Sequence, residues 1–241
     1  AGLQYATEEY LKGLIQNILD QVPVHRNICF AGGVALNSVV MGKMLDWFSK
    51  RVDNMYVTPT PHDGGLTLGA AQYVWHHVLD NPRIRWEDNY TPYLGFTYGK
   101  DNIMAAVDKN TDRVVHTECD IDRVVDLLDE QNIVAVFGGG SESGRRALGN
   151  RSILADPRSP DMKDKINFKV KHRQWFRPFA PSILREHVSS WFTKDIDSPY
   201  MSFVVDFRDE VKEKVPAVVH LNGSARLQTV TKSDNENYYD L

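Results

Sequence analysis

One stretch of the 241-residue chain, residues 136–182, limits the fold more than any other. It begins where an apolar run typical of a buried strand, residues 133–137, meets three consecutive glycines. Glycine allows positive φ angles and a close approach of the backbone to a ligand. Between Glu142 and Arg177 there are 10 Lys or Arg residues and 4 Asp or Glu residues, although the whole chain has a net charge of -4. This local excess of positive charge predicts an anionic partner or internal carboxylates.

Large apolar residues are interleaved with these basic residues, which predicts that part of the stretch lies in a hydrophobic core. They are Leu148, Ile153, Leu154, Ile166, Phe168, Val170, Trp175, Phe176 and Phe179. Arginines on a packed scaffold suit phosphate recognition, because the guanidinium group is planar, bidentate and always charged. The alternative is a solvated basic face, which agrees less well with so many interleaved apolar side chains. We expect Trp175 and Phe179 to be core residues and not platforms for a nucleotide base.

The overall composition is that of a globular protein with one large domain or two small ones, since 42% of the residues are hydrophobic and 25% are charged. No apolar run approaches the length of a transmembrane helix, and residues 1–13 do not have the pattern of a signal peptide. Cys29 and Cys119 are far apart, which favours two reduced thiols. We therefore expect a cytoplasmic protein with no membrane partner. A pI near 6.1 disfavours general binding of nucleic acid but leaves a local patch open.

The first 80 residues alternate between helical and strand-like patterns. An amphipathic helix is predicted at residues 7–21, with Thr7 as its N-cap and one apolar stripe formed by Tyr10, Leu11, Leu14, Ile15, Ile18 and Leu19. Short strands are predicted at residues 28–30 and 55–57. Each strand leads through two glycines into a helical pattern, at residues 34–50 and 66–79. Such a turn suits phosphate binding, because the backbone N–H groups at a helix start face an anion, but tight packing explains it equally well. Asp63, before the second glycine pair, is either a metal ligand or a helix cap.

A domain boundary is predicted in an irregular segment, residues 81–100, that is rich in Pro and Gly. An amphipathic helix is predicted at residues 120–131. Two strands are predicted at residues 201–207 and 217–221, followed by a turn at Asn222-Gly223.

Several segments resemble one enzyme family. The runs GRRALGNRSILADPR and INFKVKHRQWFRPFAPS resemble the signature of the O-carbamoyltransferases, which include nodulation protein U and antibiotic carbamoyltransferases. The run GSARLQTV is similar to another element of that family. FAGGVALN and PHDGGLTLGAA resemble the second half of the acetate-kinase, sugar-kinase, heat-shock and actin superfamily. Arg145 stands where the family usually has proline, and Gly140 where it often has arginine.

The resemblance implies an α/β fold with two parts. Residues 1–90 would form half of an actin/sugar-kinase-like, ribonuclease-H-like domain, and residues 91–241 a YrdC-like α/β domain that is truncated at its end. The other half of the kinase-like domain, with the histidine ligands of its metal, would lie upstream of this chain. We therefore expect this fragment by itself to have no complete transferase activity.

The resemblance also implies a reaction. ATP and carbamoyl phosphate would form carbamoyl adenylate, and the carbamoyl group would pass to the hydroxyl group of a small acceptor, such as a sugar or an antibiotic. The predicted catalytic residues are Arg146, Arg151, Lys171, Arg173 and Arg177. The predicted nucleotide- and phosphate-binding residues are Gly32, Gly33, Asn37, Ser152 and Arg226. Asp63 would ligate a divalent metal, either iron or magnesium, in the full-length protein.

Two other classes of function remain open. The pattern of the first 80 residues is also consistent with an ATP-dependent kinase, although a kinase would not explain the basic stretch. A non-catalytic module that binds RNA or a protein partner would use the same basic stretch with exposed aromatic residues. We expect no nucleic-acid partner, because the aromatic residues are interleaved as in a core.

Overall fold

The computed structural model describes residues 2–83 and 91–241 of the chain, and within them it has a mixed α/β fold with small sheets. The helices of this part are α1 (Gly2–Gln21), α2 (Ser38–Trp47), α3 (Leu66–Tyr73), α4 (Lys100–Asp108), α5 (Ile121–Asp129), α6 (Met162–Lys169), α7 (Val188–Trp191) and α8 (Glu236–Asp240). Its strands are β1 (Asn27–Phe30), β2 (Asn54–Val57), β3 (Val134–Phe137), β4 (Arg151–Leu154), β5 (Ser182–Leu184), β6 (Phe203–Asp206) and β7 (Ser224–Val230). The predicted α/β class is confirmed.

The strands form three sheets. Strands β1 and β2 are parallel, and β3 and β4 are antiparallel, with Phe137 opposite Arg151. The third sheet has the order β5-β7-β6, with β7 parallel to β5 and antiparallel to β6. The parallel β1–β2 pair places the glycine turns that follow these strands at the same edge.

The two faces of β7 have different surroundings. Side chains alternate along a strand, so Ala225 and Leu227 point to one face and Arg226 and Gln228 to the other. Ala225 and Leu227 are fully buried in the main hydrophobic core. Arg226 and Gln228 line a cleft. One strand therefore supplies both a core layer and the floor of the candidate site.

The main core joins the beginning of the chain to its end. Helix α2 packs against β6, and a Cβ atom added to Gly42 would lie 2.0 Å from the carbonyl oxygen of Val204. Only glycine permits so close an approach. The buried residues of this core come from α1, α2, β2, α7, β6 and β7 among other segments. Residues 84–90 of the predicted boundary lie outside the described residues, and the position of the boundary stays a prediction.

Several local predictions are confirmed. Strands β1, β2, β3 and β6 lie where the apolar runs placed them, and α5 lies within residues 120–131 with Asp120 as its N-cap. The predicted second helix begins with a 3-10 turn, Gly33–Leu36, before α2. The predicted helix at residues 66–79 is α3, which continues as a π-helical turn, Val74–Val78.

The prediction for the first helix was wrong in two respects. Helix α1 begins at Gly2, so Thr7 is not its N-cap, and the Thr7 hydroxyl donates to the Leu3 carbonyl 2.8 Å away. Threonine within a helix commonly bonds the preceding turn in this way, so a cap residue type alone does not define a helix start. The apolar stripe is also only partly covered, because Ile15 is buried whereas Tyr10 and Leu14 are exposed.

The strand predicted at residues 217–221 was also wrong. A 3-10 turn, Pro216–Val218, occupies this position, and β7 begins later, at Ser224. Proline fixes φ and lacks an N–H donor, which disfavours a strand at this point. The predicted turn is present, since Gly223 has a φ of 83° and its N–H donates to the His220 carbonyl.

Several aromatic residues of the basic stretch are exposed, which corrects the prediction that they lie in a core. Phe168, Trp175 and Phe176 are 79%, 71% and 63% exposed, whereas Phe179 is partly buried against the core. Leu148 and Ile166 supply the buried apolar contacts of this stretch. Across residues 2–83 and 91–241, no helix has the length and apolar character needed to cross a lipid bilayer.

Candidate functional site

A cleft of about 890 Å³ lies over the outer face of β7. Its walls are β4 with the loop before it, the first part of α6, the loop after α6, and the end of α8. Seven of its lining residues are basic and two are acidic: Arg145, Arg146, Arg151, Lys163, Lys171, Arg173 and Arg226, with Asp156 and Asp240. Asp156 is paired with Arg158, which lies outside the lining. The net charge of the cleft therefore favours an anionic ligand.

The loop between β3 and β4 is organised by Glu142. Its side chain is fully buried, and one carboxylate oxygen accepts hydrogen bonds from the backbone N–H groups of Leu148 and Asn150, at 2.6 and 3.0 Å. The other oxygen is 2.9 Å from Nε of Arg151. Arg151 also donates to the carbonyl oxygen of Gly144. The Glu142–Arg151 pair therefore closes the loop that carries Arg146.

Arg146 extends from this loop into the cleft and also contacts the first part of the chain. One of its terminal nitrogens is 3.4 Å from the carbonyl oxygen of Leu36. Burial lowers the pKa of Arg146, and the charge of its neighbour Arg145 lowers it further. No carboxylate is paired with Arg146 among the salt bridges of the described residues. Its charge is therefore directed at the cleft without internal neutralisation.

The loop after α6 is held by one buried amide. Asn167 is 1% exposed, and its Nδ2 donates to the carbonyl oxygens of Trp175 and Arg177, at 3.2 and 2.9 Å. Its Oδ1 accepts a 2.7 Å hydrogen bond from Nε of Arg173. The guanidinium of Arg173 also lies 4.6 Å from the ring centre of Phe179. Burial lowers the pKa of Arg173, followed by the charge of Arg177.

Replacing Asn167 by alanine should release this loop. Three hydrogen bonds made by a buried side chain would be lost, so we expect the free energy of unfolding to fall by roughly 1–3 kcal/mol. Amide hydrogen exchange of residues 171–177 should accelerate while that of β7 stays slow. Asn102→Ala, a change at an exposed amide, is the control. Unchanged exchange in the loop of the Asn167 variant would contradict this role.

Arg226, on the floor of the cleft, is the most unusual of these arginines. Its Nε is buried without a hydrogen-bond partner in the part of the chain that the structure describes. Burial lowers the pKa of Arg226 to about 10, and the charges of Arg146 and Arg173 contribute to that shift. A buried cation normally has an anionic partner, because an unpaired buried charge is costly. Three arginines from three separate segments thus repel one another around the same space.

The other residues predicted for this region differ in whether they line the cleft. Lys171 lines the cleft and is exposed, and Ser152 lines it from β4 with its Oγ accepting the Gly149 N–H. Arg177 is exposed and does not belong to the lining. Arg151 lines the cleft, but its hydrogen bonds are to Glu142 and to carbonyl oxygens of the loop. The structure therefore brings together most of the predicted catalytic residues, whose individual roles stay predictions.

The glycine turn that follows β1 does not belong to the lining of the cleft. Gly32 has a φ of 96°, and its N–H donates to the Pro61 carbonyl 2.6 Å away, so this turn lies beside the segment that leads to Asp63. Gly33 starts the 3-10 turn, and the Asn37 side chain accepts from Val40 N–H as the cap of α2. The two glycine turns therefore lie close to each other. None of these predicted residues lines the cleft.

The predicted metal site lacks ligands among the described residues. Asp63 begins a 3-10 turn, and the Nδ1 atom of its neighbour His62 already accepts the Gly64 N–H. Residues 2–83 and 91–241 contain no group of three or more His, Cys, Asp or Glu side chains arranged to hold a metal ion. A single carboxylate does not hold a transition metal on its own.

Several supporting residues were not predicted from the sequence. Gln228 is buried, and its amide donates to the Leu148 carbonyl at 2.9 Å, which also accepts from the Tyr93 hydroxyl at 2.8 Å. The hydroxyl of Tyr238 donates to Ser182 Oγ, which donates to Oε1 of Gln228. Burial raises the pKa of Tyr93 to about 12, so its hydroxyl stays a donor. The sequence offered one signal for Glu142, which is the one acidic residue between Gly138 and Ala155. It offered no signal for the hydrogen-bond partners of Gln228.

Comparison with known proteins agrees with this arrangement. One family model, the carbamoyltransferase N-terminus, matches residues 1–72, and another, the carbamoyltransferase C-terminus, matches residues 125–241. An uncharacterized protein of Synechocystis sp. is 35% identical over 267 residues, covering 100% of this chain and 43% of the relative. Nodulation protein NolO of Bradyrhizobium diazoefficiens is 39% identical over 221 residues, covering 89% of this chain and 39% of the relative.

Nodulation protein U of Sinorhizobium fredii is 34% identical over 240 residues, covering 97% of this chain and 40% of the relative. The chain thus spans about 40% of the length of these curated relatives. The two family models match separate parts of the chain in their natural order, and the second includes all of the arginines that line the cleft. The chain belongs to the O-carbamoyltransferase family.

Proposed function

We propose that the cleft binds the phosphate groups of carbamoyl phosphate and ATP, and that the chain contributes to ATP-dependent formation of carbamoyl adenylate. The carbamoyl group then passes to the hydroxyl group of a small acceptor. The observation that carries this proposal is the buried, unpaired Nε of Arg226 beside Arg146 and Arg173. Phosphate is the anion that suits such a set, because each guanidinium can donate two parallel hydrogen bonds to it.

The chemistry requires a site of this charge. By atom balance, water converts carbamoyl phosphate to carbamate and phosphate, and a carbamate oxygen then attacks the α-phosphorus of ATP and displaces pyrophosphate. ATP, carbamoyl phosphate and both leaving groups are polyanionic, and carbamoyl adenylate keeps one negative charge, so fixed cations stabilise the charge that develops during phosphoryl transfer. In the proposal, Arg146, Arg173, Arg226 and Lys171 contact phosphate oxygens, and Arg151 positions the loop that carries Arg146.

We also propose a domain type for each of the two parts of the chain. Residues 1–90 are proposed to be half of a kinase-like domain in which Gly32, Gly33 and Asn37 approach a nucleotide and Asp63 contributes to a metal site completed elsewhere in the polypeptide. Residues 91–241 are proposed to form a YrdC-like domain. The parallel β1–β2 pair with adjacent glycine turns supports the first assignment. The arginine cleft over β7 supports the second.

Binding of phosphate to the 241-residue chain is the first test. Calorimetric titrations with carbamoyl phosphate, inorganic phosphate and glucose should show binding of the two phosphates alone. Release of pyrophosphate from ATP and carbamoyl phosphate is then measured in a polypeptide that has the full length of the relatives. Absence of phosphate binding would overturn the assignment of the cleft.

A second candidate is an oligonucleotide-binding surface. The exposed Phe168, Trp175 and Phe176 favour it, because exposed aromatic residues beside cations are typical of single-strand binding. Titration with a short single-stranded RNA, followed by the fluorescence of Trp175 relative to a Trp175→Ala variant, distinguishes the candidates. We expect carbamoyl phosphate to bind both proteins equally and RNA to bind neither.

Replacing Arg151 by alanine should impair the activation step. The Arg146 loop would lose its closing contact, so we expect pyrophosphate release in the full-length polypeptide to slow about tenfold, equivalent to about 1.4 kcal/mol. Because this loop faces phosphate, the loss should be the same with and without an acceptor. Arg113→Ala, a change at an exposed arginine, should have no effect. A loss that appears only with acceptor present would assign Arg151 to the transfer step.

A further inference from the structure

His220 is a partly buried histidine for which the proposed reaction has no use. Its Nε2 atom is buried and has no hydrogen-bond partner among the described residues. Its Nδ1 lies 3.2 Å from Oγ of Ser224. That hydroxyl donates its own proton to Oδ1 of Asn222, 2.7 Å away. The network therefore assigns the imidazole proton to Nδ1 and leaves the lone pair on Nε2.

The sheet places this imidazole beside the arginine on the cleft floor. Ser224 and Arg226 are two residues apart on β7, so their side chains point to the same face at a spacing of about 7 Å. The side chains of Ser224, Arg226 and Gln228 form a row along one face of β7. His220 contacts Ser224 and therefore extends this row by one side chain. Among the described residues, this row contains a buried acceptor and a buried donor without hydrogen-bond partners, Nε2 of His220 and Nε of Arg226.

The charges around His220 make its protonation depend on the cleft. In the ligand-free protein, burial lowers the pKa of His220, and the charge of Arg226 lowers it further. Asp206, opposite Ser224 on β6, is exposed, so water screens its carboxylate. Lys212 approaches Gly223 but is paired with Asp209 at 2.6 Å. Arg226 is thus the dominant charge that acts on the imidazole.

We propose that His220, which is not itself among the residues that line the cleft, takes up a proton at Nε2 when a dianion occupies the cleft beside Arg226. The protonated imidazole then adds a cation to the site. The proposal rests on the proposed phosphate cleft, because only a bound anion offsets the repulsion from Arg226. The same proton leaves when the anion leaves, so the empty cleft does not carry a further cation beside Arg146, Arg173 and Arg226.

The sign of the pH effect follows from linkage. The free-state pKa of His220 lies below the usual value of about 6.5, and a dianion raises the pKa in the bound state. Anion affinity should therefore increase as the pH falls through the bound-state pKa and level off below the free-state pKa. A difference of about one pKa unit between the two states corresponds to a tenfold change in affinity.

The experiment is a calorimetric titration of the 241-residue chain with sulfate, which stays a dianion over the range used, at constant ionic strength. Between about pH 7.5 and about pH 5.5 we expect affinity to rise about threefold to tenfold. Buffers of different ionisation enthalpy should reveal proton uptake on binding. His220→Gln should bind sulfate with neither effect, whereas His25→Gln, a change at an exposed histidine, should retain both.

A measurement on the unmodified protein guards against misfolding of the variant. The imidazole resonances of His220, followed by NMR through a pH titration, should shift to a higher midpoint when sulfate is present. An unchanged midpoint, or proton uptake that persists in the His220 variant, would overturn the inference while leaving the phosphate site intact. Absence of sulfate binding at every pH would instead overturn the phosphate site and the inference with it.

Discussion

Replacing Arg226 by methionine is expected to weaken phosphate binding about a hundredfold and, at the same time, to raise the free energy of unfolding by about 1–2 kcal/mol. Binding falls because the central donor of the cleft is lost. Stability rises because a buried guanidinium whose Nε has no partner, and which is repelled by Arg146 and Arg173, is replaced by an apolar side chain. Opposite effects on binding and stability are characteristic of a site that is optimised for a ligand.

The measurement combines phosphate titration calorimetry with urea denaturation of the same samples. Arg113→Met changes an exposed arginine and should alter neither quantity. Arg226→Lys should retain part of the binding, because it keeps the charge and loses the bidentate geometry. A methionine variant that is both less stable and fully active in phosphate binding would show that Arg226 is a structural residue.

Replacing Glu142 by alanine is expected to lower the free energy of unfolding by about 3–5 kcal/mol. The change removes the acceptor of two backbone N–H groups, at Leu148 and Asn150, and breaks the ion pair with Arg151. Removing the buried acceptor leaves the backbone N–H groups of Leu148 and Asn150 without a hydrogen-bond partner, which is why the expected loss is large. We also expect weaker phosphate binding, since the loop that carries Arg146 is released.

Urea denaturation gives the stability, and Glu118→Ala provides the matched control. Glu118 is paired with Lys100 on the surface, where both side chains are more than 75% exposed, at 77% and 78%. Such an exposed pair contributes about 0–1 kcal/mol. Equal losses in the two variants would contradict the role assigned to Glu142.

The local sequence determined much of the candidate site. The residues that line the cleft from Arg145 to Arg173 lie within one basic stretch, and the resemblance to a family added Arg226 from a separate run. Short-range patterns also located β1, β2 and β3, because apolar runs that end at glycine are local features. These predictions needed only neighbouring residues.

Burial and hydrogen-bond partners could not be predicted in this way. An interleaved aromatic residue is compatible with a core or with a surface, and the structure leaves Trp175 exposed while it buries Asn167. Likewise, Arg151 was predicted as a phosphate ligand, and only the position of Glu142 shows that it also closes a loop. The alternation that predicted a strand at residues 217–221 was overridden by a proline turn.

The sequence by itself therefore determined the family, the α/β class and the identity of the basic residues, since these follow from contiguous motifs. The tertiary structure alone decided which of those charges lack partners. Arg146 contacts Leu36, and Gln228 contacts Leu148, across long separations in the chain. Charge repulsion depends on the distances that folding creates. Only the meeting of three distant segments over β7 places Arg226, whose Nε has no partner among the described residues, close enough to Arg146 and Arg173 to be repelled by them.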